Sequence, residues 1–166
     1  MTQGLKASEQ KALERLYRRR VDPEVALSHE LARELANRSH ELGRRLGVLI
    51  DRRGQVTHVF LGDTKTLDFP KLKRARRAHE RLKGLRWIAT TLRGDEPTRR
   101  DLNALVRWRL DLLVLVGVED NGAPSFLREV HLVPAQDDGS GAHRIGALLA
   151  PNKARRDFGT FLRELE

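Results

Sequence analysis

Seven residues without a charge, Leu112-Leu-Val-Leu-Val-Gly-Val118, constrain this chain most. The run is too short for a membrane span and has no polar face. It therefore predicts a strand covered on both sides, in the middle of a sheet. A second short apolar run, 85–88, stands behind Gly84 and predicts another buried strand. A Gly/Asp/Pro loop, 94–97, separates it from Thr98, whose hydroxyl can cap a helix that has Asp101 at its third position. Leu102, Leu105, Val106 and Leu110 recur at helical spacing over 101–111. Strand, loop, capped helix and strand thus follow one another, and α/β proteins often place a ligand site beyond such a strand end.

The rest of the chain supplies partners for these strands. A helix is expected over 7–20, capped by Ser8, with Leu13, Leu16 and Tyr17 on one face and Arg18, Arg19 and Arg20 at its end. Asp22-Pro23 breaks the chain, Ser28 caps a second helix, and Gly43 stops it after Leu42. Residues 46–51 and 56–61 read as two strands joined by a hairpin turn at Arg52-Arg53-Gly54-Gln55. A further turn is expected over 119–124, a strand over 128–133, a polar loop over 136–141, a short apolar stretch over 145–149 and a final helix over 152–166. The fold class that follows is α/β, a mixed sheet flanked by helices. One domain is expected over 1–150, helical over 1–43 and sheet-containing over 44–135, with 151–166 as a C-terminal helix or linker.

Among 166 residues there is no cysteine, which excludes disulfides, thiol catalysis and cysteine-held zinc. No P-loop, dinucleotide-binding glycine motif, zinc-protease or nucleophile-elbow motif occurs. His29, His40, His58, His79, His131 and His143 include no pair two or four residues apart. His58 and His131 fall on expected strands, where a structural histidine is the commoner outcome. No hydrophobic signal core or membrane-length run is present, so the expected location is cytoplasmic.

The formal net charge is +9, which favours a polyanionic partner: RNA, DNA or an acidic membrane surface. A solvated surface in an arginine-rich chain is the plain alternative. Lys71, Lys73, Arg74, Arg76, Arg77, Arg81 and Lys83 face one acid, Glu80, within thirteen residues. Leu72, Ala75 and Leu82 leave those cations most of the surface if the segment is helical. With Arg18, Arg19 and Arg20 they are the candidate nucleic-acid contacts. Aromatic residues make up 5%, so no base-stacking platform is evident and binding should be directed to the phosphate backbone.

Scattered stretches carry a resemblance: Leu13-Glu-Arg-Leu-Tyr-Arg-Arg-Arg20, Glu30-Leu-Ala-Arg-Glu-Leu35, Ser39-His-Glu-Leu-Gly-Arg44, Leu46-Gly-Val-Leu-Ile-Asp-Arg-Arg-Gly54, Leu82-Lys-Gly-Leu-Arg86 and Leu110-Asp-Leu112. Over about 130 positions the chain resembles the N-terminal extension of HflX-type GTPases, a ribosome-associated, ribosome-splitting family. The resemblance implies an accessory domain whose partners are the ribosome or ribosomal RNA and a downstream GTPase domain. GTP and Mg²⁺ would belong to that domain, and none of the cofactor chemistry to this chain.

The stretch 85–101 also resembles the JAMM (MPN-type) metallohydrolase signature, in which two histidines, a Ser or Thr and an Asp follow an upstream Glu. That resemblance implies a three-layer arrangement and, in an intact member, a zinc-bound water. Here Ala89 and Thr91 stand in the histidine positions, Thr98 and Asp101 remain, and Glu34 or Glu41 matches the upstream acid. One carboxylate without imidazoles makes a poor zinc site, so Asp101 is read as a helix-start acid and the signature as degenerate. Three functions stay open: a non-catalytic RNA- or ribosome-binding module, a JAMM-like hydrolase or its protein-binding descendant, and a domain that regulates an attached GTPase.

Overall fold

The computed structural model describes residues 5–68, 85–94, 96–108, 110–131 and 162–164. Its elements are α1 (Ala7–Leu16), α2 (His29–Leu42), β1 (Leu46–Ile50), β2 (Val56–Leu61), β3 (Arg86–Thr91), α3 (Arg99–Arg107), β4 (Leu112–Val118), β5 (Pro124–Val130) and β6 (Leu162–Glu164). The basic segment 71–83, the stretches 136–141 and 145–149, and most of the expected C-terminal helix lie outside the described residues.

The six strands form one mixed sheet in the order β2-β1-β3-β4-β5-β6. Only β3 and β4 run parallel, joined through α3, and the other neighbours are antiparallel. The apolar strand β4 lies between β3 and β5, the interior place that its two-sided apolar pattern predicts. On one face, Leu16 of α1 and Leu31 and Leu35 of α2 pack against Val48, Ile88, Val114 and Val116. On the other, Leu105 of α3 joins Leu49, Trp87, Ala89, Leu113 and Leu115. Helices on both faces explain why β1, β3 and nearly all of β4 are buried on both sides. Each fully buried Leu, Ile or Val there contributes about 1.5–3 kcal/mol of transfer free energy.

Local signals set several boundaries. Ser28 Oγ accepts from Leu31 N–H at 3.3 Å and starts α2, and Gly43, at φ 59°, ends it. Asp51 Oδ1 accepts from the N–H groups of Arg53 and Gln55, at 2.9 Å each, and so fixes the β1–β2 turn.

Four expectations are corrected. First, α1 stops at Leu16 rather than at residue 20, and Ser8 lies inside it. Glu9 caps its start by accepting from the Lys6 N–H at 2.7 Å. Residues 17–19 close a last turn, with Arg18 N–H donating to Arg15 O and Arg19 N–H to Leu16 O, and 19–21 then pair with 54–56: Arg20 bridges Gln55, and Val21 N–H donates to Gly54 O at 2.7 Å. Pairing with the sheet edge outcompetes continuation of the helix. Second, α3 opens after Thr98 as its capping pattern predicts but ends at Arg107, short of residue 111. Third, β5 starts at Pro124 rather than at 128. The tight turn, with Gly122 N–H donating to Glu119 O at 2.9 Å, returns the chain at once. Proline suits a strand's first position, where no N–H need join the ladder. Fourth, Leu162–Glu164 is a strand, not helix, and pairs with Arg128–Val130 of β5. It supplies hydrogen-bond partners to the edge of β5 that faces away from β4.

Candidate functional site

The strand–loop–helix around residues 89–101 is built as the sequence suggests, with its carboxylate already engaged. Thr98 and Asp101 close a capping box: Asp101 N–H donates to Thr98 Oγ1 at 3.2 Å, and Asp101 Oδ2 accepts from Thr98 N–H at 2.8 Å and from its hydroxyl at 2.7 Å. Arg45, just before β1, reaches the same carboxylate, with Nη2 at 3.3 Å from Oδ1 and 3.1 Å from Oδ2. The two residues are 2% and 1% exposed. The guanidinium is otherwise spent on backbone carbonyls, Nε on Thr90 O at 2.7 Å and Nη1 on Lys65 O at 3.3 Å. A buried ion pair persists where further hydrogen bonds satisfy both partners, and these bonds do so.

A second polar group adjoins this pair. Thr90 Oγ1 lies 2.8 Å from Ser39 Oγ and accepts from Leu46 N–H at 2.8 Å, while Ser39 Oγ donates to Arg44 O at 2.7 Å. Together these bonds tie the end of α2, the start of β1, the end of β3 and the start of α3.

The metal-ligand positions of the degenerate signature do not converge on a donor set. Ala89 is buried among Leu49, Trp87 and Leu105, and Thr91 Oγ1 donates to Arg93 O at 2.7 Å. Neither carries an imidazole. Both oxygens of Asp101 face a guanidinium, where a divalent cation would need them free. Glu34 and Glu41 belong to α2, whose buried residues pack on the opposite face of the sheet from Leu105 of α3, and they pair with Arg19 and Arg38 at 2.6 Å each. Ala89, Thr91, Asp101, Glu34 and Glu41 as placed do not fit a catalytic zinc centre, which takes about three protein ligands and a water. Among the described residues, no three His, Asp or Glu side chains gather as a metal-holding group. Also among the described residues, no helix is long and apolar enough to cross a membrane.

Arg18, Arg19 and Arg20 are exposed beside β2. The fold brings to them Arg52 and Arg53 of the β1–β2 turn, which are also exposed. The joint is tight. Val21 N–H donates to Gly54 O at 2.7 Å, Arg20 bridges Gln55, and a Cβ on Gly54 would stand 1.6 Å from Val21 O. Gly54 also has φ 81°, a conformation that glycine adopts without a Cβ penalty. Two acids at this corner accept from backbone N–H groups of their own turns. Asp51 caps the turn, and Asp22 Oδ1 accepts from Glu24 N–H at 2.9 Å. Both lie near the buried Arg86, whose guanidinium donates to the carbonyls of Val25 and Ala26 and whose pKa burial lowers while the two acids oppose the shift. Arg19 pairs with Glu34, while Arg18, Arg20, Arg52 and Arg53 make no ion pair with another described residue.

The order of the chain marks Arg18 to Arg20 and hides Arg52 and Arg53, because the two groups meet only through pairing of residues 19–21 with 54–56. It also hides Arg45, which no spacing sets apart from its neighbour Arg44. The six candidates Lys71, Lys73, Arg74, Arg76, Arg77 and Arg81 lie outside the described residues. Set against known protein families, curated proteins and solved structures, the chain gives no significant match to any.

Proposed function

We propose that this chain is a non-catalytic accessory domain of an HflX-type GTP-binding protein, contributing to its association with the ribosome or ribosomal RNA. The reading rests on the sequence resemblance and on one observation above others. The net charge of +9 is carried by a fold whose strand–loop–helix mouth has its carboxylate neutralised internally by Arg45. A buried carboxylate held by a guanidinium and a capping threonine has no lone pair placed for proton transfer to a substrate, so the locus serves architecture. The excess positive charge favours a polyanion, and a ribosome-associated family supplies one.

Sedimentation of the purified chain with ribosomes over a salt series tests the reading. Association should be present at low ionic strength and fall steeply as salt rises, since each neutralised phosphate releases counterions. Absence of ribosome and RNA association at low salt would overturn it.

A further inference from the structure

We infer that the corner formed by Arg18, Arg19, Arg20, Arg52 and Arg53 is a docking surface for the phosphate backbone of double-stranded RNA. The inference rests on the functional reading above and adds where, and on what kind of RNA, the contact is made.

Three observations carry it. The first is that segments 32 or more residues apart in the chain meet here and both present exposed arginines. Arginine carries a planar fork that matches two phosphate oxygens, and its charge persists at any working pH. The second is that arginines outnumber acids: residues 17–24 and 51–55 carry five arginines against Asp22, Glu24 and Asp51, and Asp22 and Asp51 accept from backbone N–H groups of their own turns. Positive charge is thus left facing solvent. The third is that the backbone beneath is fixed before any ligand arrives. Asp51 holds the N–H groups of Arg53 and Gln55, and the Val21–Gly54 bond locks one segment to the other. Docking then orders side chains only, which lowers the entropic cost of binding.

The corner offers little to a base. Tyr17, the exposed aromatic residue nearest to it, has its hydroxyl engaged by Val59 N–H at 3.3 Å. Single-strand binders rely on aromatic platforms, whereas a duplex presents its phosphates at higher density along a rigid line. Duplex RNA is therefore the better fit.

The test uses the full chain and a blunt RNA duplex of about two helical turns, with poly(U) of equal length as comparison. Affinity is measured over a salt series for the natural chain, for R18Q/R20Q, for R52Q/R53Q and for the four changes combined. Arg19 is kept because of its bond to Glu34. Each pair of changes should lower the log–log salt slope by up to about two, and the quadruple variant should bind about tenfold or more weakly near physiological salt. An unchanged far-UV spectrum and melting temperature confirm the fold, and the two pairs report separately should the quadruple variant be unstable.

Unchanged duplex affinity in the folded variants would overturn the corner. If K73Q/R74Q/R76Q/R77Q then abolishes binding, the functional reading survives with its surface elsewhere. If the natural chain binds neither duplex RNA nor ribosomes, the functional reading itself falls. Poly(U) bound as tightly as duplex would overturn the assignment to double-stranded RNA. Loss of ribosome binding in the corner variants with duplex affinity intact would overturn the RNA assignment in favour of a protein partner.

Discussion

Arg45 and Asp101, 56 residues apart, meet in the interior with Arg45 Nη2 3.1 Å from Asp101 Oδ2 and 3.3 Å from Oδ1. The pair joins the chain just before β1 to the first turn of α3, so a long-range contact seats a local helix cap. Removing either partner leaves a buried charge uncompensated, which costs about 3–5 kcal/mol. Arg45→Met and Asp101→Asn are each expected to destabilise within that range in urea unfolding. Asp101→Ala should cost about 1 kcal/mol more than Asp101→Asn, since the cap on Thr98 N–H goes too. The double variant Arg45→Met/Asp101→Asn should fall short of the summed single losses by about 1–3 kcal/mol. Additive losses, or a single loss below about 1 kcal/mol, would show that the pair is not coupled as described.

Thr90 performs a related task at the end of β3. Its hydroxyl accepts from Leu46 N–H and adjoins Ser39 in a fully buried setting. Thr90→Val keeps the volume and removes the acceptor, leaving a buried N–H unsatisfied. A loss of about 2–3 kcal/mol is expected in chemical unfolding, against about 1 kcal/mol for Thr90→Ser, which keeps the hydroxyl and loses one buried methyl group. Equal stability of the valine and serine variants would show that Leu46 N–H finds another partner.

His58 gives the fold a pH dependence of definite sign. The ring is half-buried on β2 and stacks on Phe60, with centroids 5.9 Å apart, and partial burial pushes its pKa below the ordinary 6.5. The folded state thus binds the proton less readily than the unfolded chain. Its contribution is intact above the unfolded pKa and is lost as pH falls from there through the depressed folded pKa. Melting temperature measured across this window should decline more for the natural chain than for His58→Phe. Parallel curves would refute the assignment.

The parts legible in the sequence are those with local causes. Ser28 and Gly43 bound α2, Thr98 and Asp101 open α3, and the apolar run 112–118 forms a strand inside the sheet. Each signal lies within a few residues of the element that it specifies. The features hidden from that reading depend on distant partners. The chain after α1 turns into pairing of 19–21 with 54–56, and Leu162–Glu164 is a strand paired along the edge of β5. β5 itself is obscured by Pro124 and by a half-buried mixture of apolar and charged side chains. At the candidate site, Asp101 is recognised as a helix-start acid from its spacing to Thr98, whereas its buried partner Arg45 leaves no mark in the pattern.

Gly54 links the fold to the arginine corner and is the sharpest place to test it. A Cβ there would stand 1.6 Å from Val21 O, and the residue holds φ 81°. The obstructing atom is backbone, so relief requires residues 19–21 to move away from β2. Gly94, at φ 80° with nothing within 4 Å of a built Cβ, provides the control. Gly94→Ala should cost only the left-handed strain, about 1–2 kcal/mol. Gly54→Ala should cost more by at least about 1 kcal/mol, the overpacking added to the same strain. It should also speed hydrogen exchange at the amides of Val21 and Val59, whose acceptors are Gly54 O and the Tyr17 hydroxyl. Because no charge changes, a matching fall in duplex RNA affinity would report the displaced arginines alone. Equal costs for the two alanine variants, with Val21 still protected from exchange, would show that residues 19–21 are not held against Gly54 as described.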